Sequence, residues 1–241
     1  EDAQTYAELA KKTADAFHKK FYNPETGSYG KYGGNIFALK IGVPEAYRDR
    51  VVATLKQDIL DNGGHFDTGI FGTQFFFEVL AENGLNDLAF EAMNKRDYPS
   101  FGLWIAQGAT TTWEQWNGEY SRNHPMFGGG LTWFYRKLAG MNADPEQPGY
   151  KHIIFRPQPV GDITEARYER LTPYGNASIE WNKQDVRFTM SVVVPVGSTA
   201  TVYIPTFGNG QSATVDGQGA CATFEGTENG YDRYTVSSGR Y

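Results

Sequence analysis

Apolar side chains recur every third or fourth position from the start of the chain to about residue 142 and every second position after it, so a change of period divides the sequence in two. In the first stretch Tyr6, Leu9, Ala10, Phe17 and Phe21 share one helical face, with Lys and Asp between them. Pro44, a residue favoured in a first turn, predicts a second helix through Val51, Val52, Leu55 and Ile59 that Gly63-Gly64 stops. A third helix carries Phe71, Phe75, Val79 and Leu80 and ends at Asn83-Gly84, after which Asn86 is expected to N-cap a fourth through Leu88, Ala89, Phe90 and Met93. A fifth is expected over Phe127, Leu131, Phe134, Tyr135 and Leu138, stopping at Gly140. Gly128-Gly129-Gly130 inside that pattern costs about 1 kcal/mol per glycine relative to Ala, so either a neighbour comes very close or the helix starts later. The glycine- and aromatic-rich connections are expected to line a surface cleft.

Past Asp144-Pro145-Glu146-Gln147-Pro148-Gly149 the pattern becomes that of strands. Arg187 and Thr189 alternate with Val186, Phe188 and Met190, and Ala200-Thr201-Val202-Tyr203-Ile204 is a β-branched run closed by Pro205. Thr172-Pro173-Tyr174-Gly175 and Asn182-Lys183-Gln184-Asp185 read as turns. Short strands at this spacing indicate an antiparallel β-sandwich. The expected fold class is therefore α followed by all-β, with one domain over residues 1–147 and a second over 148–241.

Composition narrows the function classes. A net charge of −6 and a pI near 5.3 argue against a nucleic-acid partner, which asks for a basic face. No apolar run approaches a membrane span. A single cysteine, Cys221, excludes an intrachain disulfide and a cysteine-type zinc site, and His18, His65, His124 and His152 are too scattered for a metal centre, so no metal or cofactor is expected. One thiol is compatible with cytosol or periplasm. A periplasmic or secreted protein is favoured over a cytoplasmic one, although the start at Glu1 carries no information about the compartment.

Candidate chemistry concentrates in Gly108-Ala109-Thr110-Thr111-Thr112-Trp113-Glu114-Gln115-Trp116 and in Ser121-Arg122-Asn123-His124-Pro125. One carboxylate stands between two indoles, with an imidazole a few residues on. A Glu against aromatic faces has its charged form disfavoured by desolvation, which suits a proton-transfer group near neutral pH. Aromatic faces also suit the C–H-rich faces of a sugar, and Trp104, Trp113, Trp116 and Trp133 are four of the five tryptophans. Each feature has a plainer explanation. Glu114 would be a solvated loop residue, the tryptophans core, and His124 a cap for the helix opening at Pro125. His65 with Asp67 would offer a second acid. A serine or cysteine nucleophile is not supported, because Gly-x-Ser-x-Gly is absent and Cys221 lies in a strand-rich region.

These segments, taken in order, resemble the C-terminal part of bacterial α-L-rhamnosidases of glycoside hydrolase family 78. The likeness extends over nearly the whole chain. It is carried by Leu39-Lys40-Ile41-Gly42-Val43-Pro44, Gly63-Gly64-His65, Thr68-Gly69-Ile70-Phe71-Gly72-Thr73, Tyr98-Pro99-Ser100-Phe101-Gly102, Gly108-Ala109-Thr110-Thr111-Thr112-Trp113-Glu114, Asn123-His124-Pro125-Met126-Phe127-Gly128, Leu138-Ala139-Gly140, Pro148-Gly149-Tyr150-Lys151-His152 with Arg156-Pro157, and Ser178-Ile179-Glu180-Trp181 after Pro173-Tyr174-Gly175. The resemblance implies the later helices of an (α/α)6 toroid, of the six-hairpin glycosidase type, followed by a β-sandwich. It implies hydrolysis of terminal α-L-rhamnose with inversion, Glu114 as general base, and His124 and Asn123 in contact with the sugar, with Trp113 and Trp116 at the site by adjacency. Gly33-Gly34-Asn35 and Asp67 depart from the family pattern, in which a Thr or Ala helix start and a Thr are expected.

The family's general acid and most of its acidic and aromatic sugar-binding residues lie upstream of Glu1. The chain is therefore expected to be a portion of a longer enzyme whose N-terminal part is its partner, and to be inactive alone. The other class is a carbohydrate-binding or degenerate module that keeps the pocket without hydrolysis. A third option has Asp67 or Glu119 supply the acid from within this chain. The β-sandwich is expected to brace the helices.

Overall fold

The helical periodicity of the first half becomes α1 (Asp2–Phe21), α2 (Tyr32–Ile41), α3 (Glu45–Asp61), α4 (Gly69–Glu82), α5 (Asn86–Asn94) and α6 (Phe101–Ala106) in the computed structural model. The structure describes residues 2–66, 68–185, 187–208, 213–216 and 221–241, so Asp67 and Val186 lie outside the described residues. A last helical stretch runs as a 3₁₀ turn over Pro125–Gly129, α7 (Gly130–Trp133) and a π turn over Phe134–Leu138.

Two of these helices were not legible in the periodicity. α2 opens on Tyr32-Gly33-Gly34, which reads as a break, and α6 is only six residues long. What fixes α6 is local: the Ser100 hydroxyl accepts the Leu103 N–H at 3.0 Å, satisfying one of the orphan donors of the first turn. Two boundaries also shift by one residue. Asn86 is the first residue of α5, with Leu85 in the cap position, and Pro44 caps α3 with extended ψ.

α4 is the hub of this unit and packs against α2, α5 and the Pro125–Gly129 turn. Phe76, Phe77, Val79 and Leu80 of α4 are buried, as are Val51, Leu55 and Ile59 of α3. Each such side chain contributes about 1.5–3 kcal/mol by leaving water. The glycine run has both of its anticipated causes. A Cβ on Gly129 would lie 2.4 Å from the Gln74 Cα, so α4 and the turn touch backbone to backbone, and the regular helix begins only at Gly130. α1 is the exception to burial. No residue on it is buried, and Tyr6, Leu9 and Phe21 are exposed.

The second half forms nine strands among the described residues: β1 (Met141–Ala143), β2 (His152–Phe155), β3 (Glu165–Thr172), β4 (Gly175–Gln184), β5 (Arg187–Val194), β6 (Thr199–Pro205), β7 (Ala222–Glu228), β8 (Tyr231–Val236) and β9 (Gly239–Arg240). They make two sheets, ordered β1-β2-β6-β8-β7 and β3-β4-β5-β9. All pairings are antiparallel except β2 with β6, whose parallel register sets His152 opposite Thr199. Thr172 pairs with Gly175 around Pro173-Tyr174, a two-residue hairpin where a turn was expected. The next turn falls later than expected, because β4 runs on through Asn182 and Lys183 to Gln184. Ile179, Trp181, Val192 and Val194 from one sheet and Ile153, Phe155, Ala200, Val202 and Val236 from the other are buried.

The chain divides into two compact units, residues 1–130 and 131–241. In the second, the Tyr231 hydroxyl donates to the Pro157 carbonyl at 3.0 Å while the Arg156 guanidinium lies 4.8 Å from the ring centre. Burial raises the Tyr231 phenol above its ordinary value, with Arg156 opposing. A raised acid binds its proton more tightly when folded. The stability it contributes is therefore complete below the free tyrosine value near 10 and lost as pH rises through the folded value. The expected result is that denaturation of the sandwich, followed by urea titration, weakens above about pH 10, and less so in Tyr231→Phe.

Candidate active site

Loop 107–124 joins α6 to the Pro125 turn and holds Trp113, Glu114, Trp116, Asn123 and His124. Two rungs close it. His124 N–H donates to the Thr112 carbonyl at 2.8 Å, and the Thr112 hydroxyl returns a bond to the His124 carbonyl at 2.6 Å. Glu114 N–H donates to the Ser121 carbonyl at 2.8 Å, and Ser121 N–H donates to the Glu114 carboxylate at 3.1 Å. The Thr111 hydroxyl adds a bond to the Arg122 carbonyl. Glu114 and His124, ten positions apart in sequence, are thereby drawn together, with His124 Nδ1 3.8 Å from Glu114 Oε2.

The two indoles do not flank the carboxylate as open faces. Trp113 and Trp116 are 5% and 8% exposed, whereas the Glu114 side chain keeps 35% exposure. Trp116 packs among Trp104 at 4.4 Å, Phe127 at 4.6 Å, Phe66 at 5.0 Å and Phe101 at 5.7 Å between ring centres, and the Trp104 indole N–H donates to the Trp116 carbonyl at 3.0 Å. Side chains on this irregular stretch alternate between core and surface, so the tryptophans form the floor and Glu114 stands on it. The expectation of a carboxylate shut against aromatic faces gives way to a half-open carboxylate on an aromatic base.

His124 occupies the cap position before Pro125, but its side chain makes no capping bond. Its Nδ1 faces Glu114 instead, and its Nε2 is buried without a hydrogen-bond partner among the described residues. A buried nitrogen left unpaired costs about 1–3 kcal/mol, which a ligand hydroxyl would relieve. Asn123 is exposed beside it, its N–H donating to the Ser121 hydroxyl at 3.2 Å. Glu119 is exposed on the same loop, and Asp67, the other candidate for an internal acid, lies outside the described residues. His65 serves the scaffold: its Nδ1 donates to the Pro99 carbonyl at 3.0 Å, and its Nε2 faces Asp97 at 3.2 Å. Asp97 is held below the usual carboxylate range, first by its own backbone N–H and then by the His65 charge.

Arg122 is a contributor the sequence reading passed over, although it stands inside the quoted segment. Its guanidinium lies 4.6 Å from the Trp113 ring centre, and its Nε donates to the Gly118 carbonyl at 3.2 Å. Gly118 has φ +76°, and a Cβ there would lie 2.8 Å from the Trp113 ring. Gly118→Ala is accordingly expected to destabilise the helical unit by about 1–3 kcal/mol, read as a lowered urea midpoint, with faster amide exchange through 111–124. Among the described residues no group of three or more His, Cys, Asp or Glu side chains is arranged to hold a metal ion.

The helical unit carries a half-open carboxylate on its last long loop and is followed by a two-sheet domain, and comparison with known proteins gives this architecture a family. The bacterial α-L-rhamnosidase 6 hairpin glycosidase domain matches residues 1–138, and the bacterial α-L-rhamnosidase C-terminal domain matches residues 140–219. The chain belongs to the bacterial α-L-rhamnosidase family. It is 30% identical to an α-L-rhamnosidase of Streptomyces avermitilis over 98% of its length and 33% identical to one of Formosa agariphila over 90%, covering 24% and 25% of those proteins. Its fold is similar to the α-L-rhamnosidase structure from Dictyoglumus thermophilum, with a TM-score of 0.85 and 34% identity over 100% of this chain and 28% of that one. The structure of the Streptomyces avermitilis α-L-rhamnosidase complexed with L-rhamnose also matches at 0.85, with 28% identity over 100% of this chain and 24% of that one. The chain thus spans about a quarter of the length of the curated relatives it matches. The helical part is a portion of a six-hairpin glycosidase domain, and the C-terminal part is the β-sheet domain of the same family.

Proposed function

We propose that the protein hydrolyses terminal α-L-rhamnosides with inversion, and that Glu114 is the general base. The observation that carries this reading is the Glu114–Ser121–His124 arrangement. One carboxylate oxygen is held by a backbone N–H at 3.1 Å, the carboxylate remains a third exposed to water, and an imidazole with an unpaired buried nitrogen stands 3.8 Å away. Such a carboxylate takes a proton from water as the water oxygen bonds to the anomeric carbon. The glycosidic C–O bond breaks on the opposite face, and a second carboxyl group protonates the leaving oxygen. In inverting enzymes the two carboxyls stand about 6.5–9.5 Å apart, with room for that water. His124 Nε2 and Asn123 hold the sugar's hydroxyls, while Trp113 and Trp116 support the loop from beneath.

The acid is assigned to a preceding part of a longer protein, in keeping with the share of its relatives' length that the chain covers. The test follows an aryl α-L-rhamnoside by proton NMR during hydrolysis by the full-length protein. β-L-rhamnose is expected as the first product. Release of the α anomer first, or no release at all, would overturn the reading.

A further inference from the structure

Away from the Glu114 loop, the end of α1, the 22–31 loop and α3 enclose an open groove of about 880 Å³, mouth included. Its lining mixes one half-exposed aromatic ring, Phe21, with the polar side chains of Asn23, Thr26, Thr54 and Asp58, and with one cation, Lys31. None of these residues belongs to the loop that carries Glu114 and His124.

The wall behind Asp58 is built rather than incidental. Asn35 is fully buried, and its Nδ2 donates to Asp58 Oδ2 at 3.4 Å and to the Gly30 carbonyl at 3.3 Å. Its Oδ1 accepts Tyr29 N–H at 2.9 Å and the Ser28 hydroxyl at 3.2 Å, and Ser28 is itself buried. One turn back on the same face of α3, the Thr54 hydroxyl donates to the Arg50 carbonyl at 2.9 Å. Asp58 Oδ1 takes no hydrogen bond from the described residues, which leaves an acceptor for a ligand. Burial, joined by the nearby Asp61, holds the Asp58 carboxyl above its ordinary range, and hydroxyl donors from a ligand would relieve that penalty.

We propose that this groove binds a neutral monosaccharide unit, at a site separate from the one that holds the scissile sugar. A half-exposed ring takes the C–H face, Asp58 accepts from a vicinal hydroxyl pair, and Lys31 with Asn23 donates to the ring's other oxygens. A lining with one cation and one anion gives no preference for a charged ligand, and the polar walls give none for an apolar one. A site held from behind by buried hydrogen bonds loses little entropy on binding. The sugar class follows from this lining and does not depend on Glu114 being a base.

The experiment is an NMR titration of the ¹⁵N-labelled chain with L-rhamnose, D-glucose, D-galactose and D-mannose in turn. At least one of them is expected to shift amides of residues 21–31 and 54–58 saturably. Asp58→Asn is expected to weaken that binding about tenfold, the loss of one charge-assisted pair. Thr54→Trp, which fills the groove from the face of α3, is expected to abolish it, and Glu114→Gln to leave it unchanged. If Asp58→Asn does not fold, Thr54→Trp decides alone. Shifts confined to 109–124, shifts that survive Thr54→Trp, or no response to any of the four sugars would overturn the proposal. Loss of turnover in Glu114→Gln with groove binding intact, and the reverse, separate this inference from the assignment of the base.

Discussion

Glu114→Gln lowers kcat for an aryl α-L-rhamnoside in the full-length protein by about 10²- to 10⁴-fold, the contribution expected of a positioned general base, and leaves KM nearly unchanged. The amide has the size of the carboxylate, and its oxygen still accepts the Ser121 N–H that now holds Glu114 Oε2 at 3.1 Å. The loop rungs between Thr112 and His124 and between Glu114 and Ser121 are otherwise made by backbone and by Thr112, so the fold of the loop does not depend on the charge. What is lost is the capacity to take a proton, an interaction realised only on the way to the transition state, and that loss falls on kcat rather than on KM. If both forms turn over alike, Glu114 is not the base. If neither turns over and L-rhamnose still binds, the chain belongs to a sugar-binding module that has lost its chemistry.

The helices that periodicity foretold are those whose apolar period is uninterrupted, down to the nine residues of α5. α1, α3 and α4 each carry apolar residues over several turns. α6 is set by a single serine cap, and α2 begins with glycines, a signal that propensity reads as a stop. The β3–β4 hairpin was legible because Thr172-Pro173-Tyr174-Gly175 is a local turn code. The parallel pairing of β2 with β6 was not, since His152 and Thr199 are 47 residues apart and nothing local encodes their meeting.

The site divides along the same line. Residue types pointed to Glu114 and His124, but their approach to 3.8 Å depends on a ladder of backbone bonds that composition does not display. The indoles were misjudged for a related reason. Trp113, Glu114 and Trp116 are neighbours in sequence, yet in an irregular loop adjacent side chains need not share a side, and Trp104 of α6, joined at Trp116 by Phe66, Phe101 and Phe127, drew both tryptophans inward.

That inward packing makes Trp116→Ala the most damaging single change expected in the helical unit. The ring lies within 4.4–5.7 Å of four other aromatic rings, and its removal opens a cavity at their centre. Truncating a buried tryptophan costs about 3–5 kcal/mol, roughly a fifth or more of the about 5–15 kcal/mol that holds a typical domain. A large drop in the urea midpoint, followed by circular dichroism, is therefore expected. Trp116→Phe separates packing from hydrogen bonding. It keeps an aromatic ring in place and removes an indole N–H that is buried without a partner among the described residues, a group whose desolvation works against the folded state by about 1–3 kcal/mol. Most of the stability should survive that substitution. If Trp116 were instead a stacking surface for sugar, Trp116→Ala would leave the midpoint where it was and raise KM. A midpoint unmoved by the alanine would remove the aromatic floor from under Glu114 and with it the account of how that carboxylate is held.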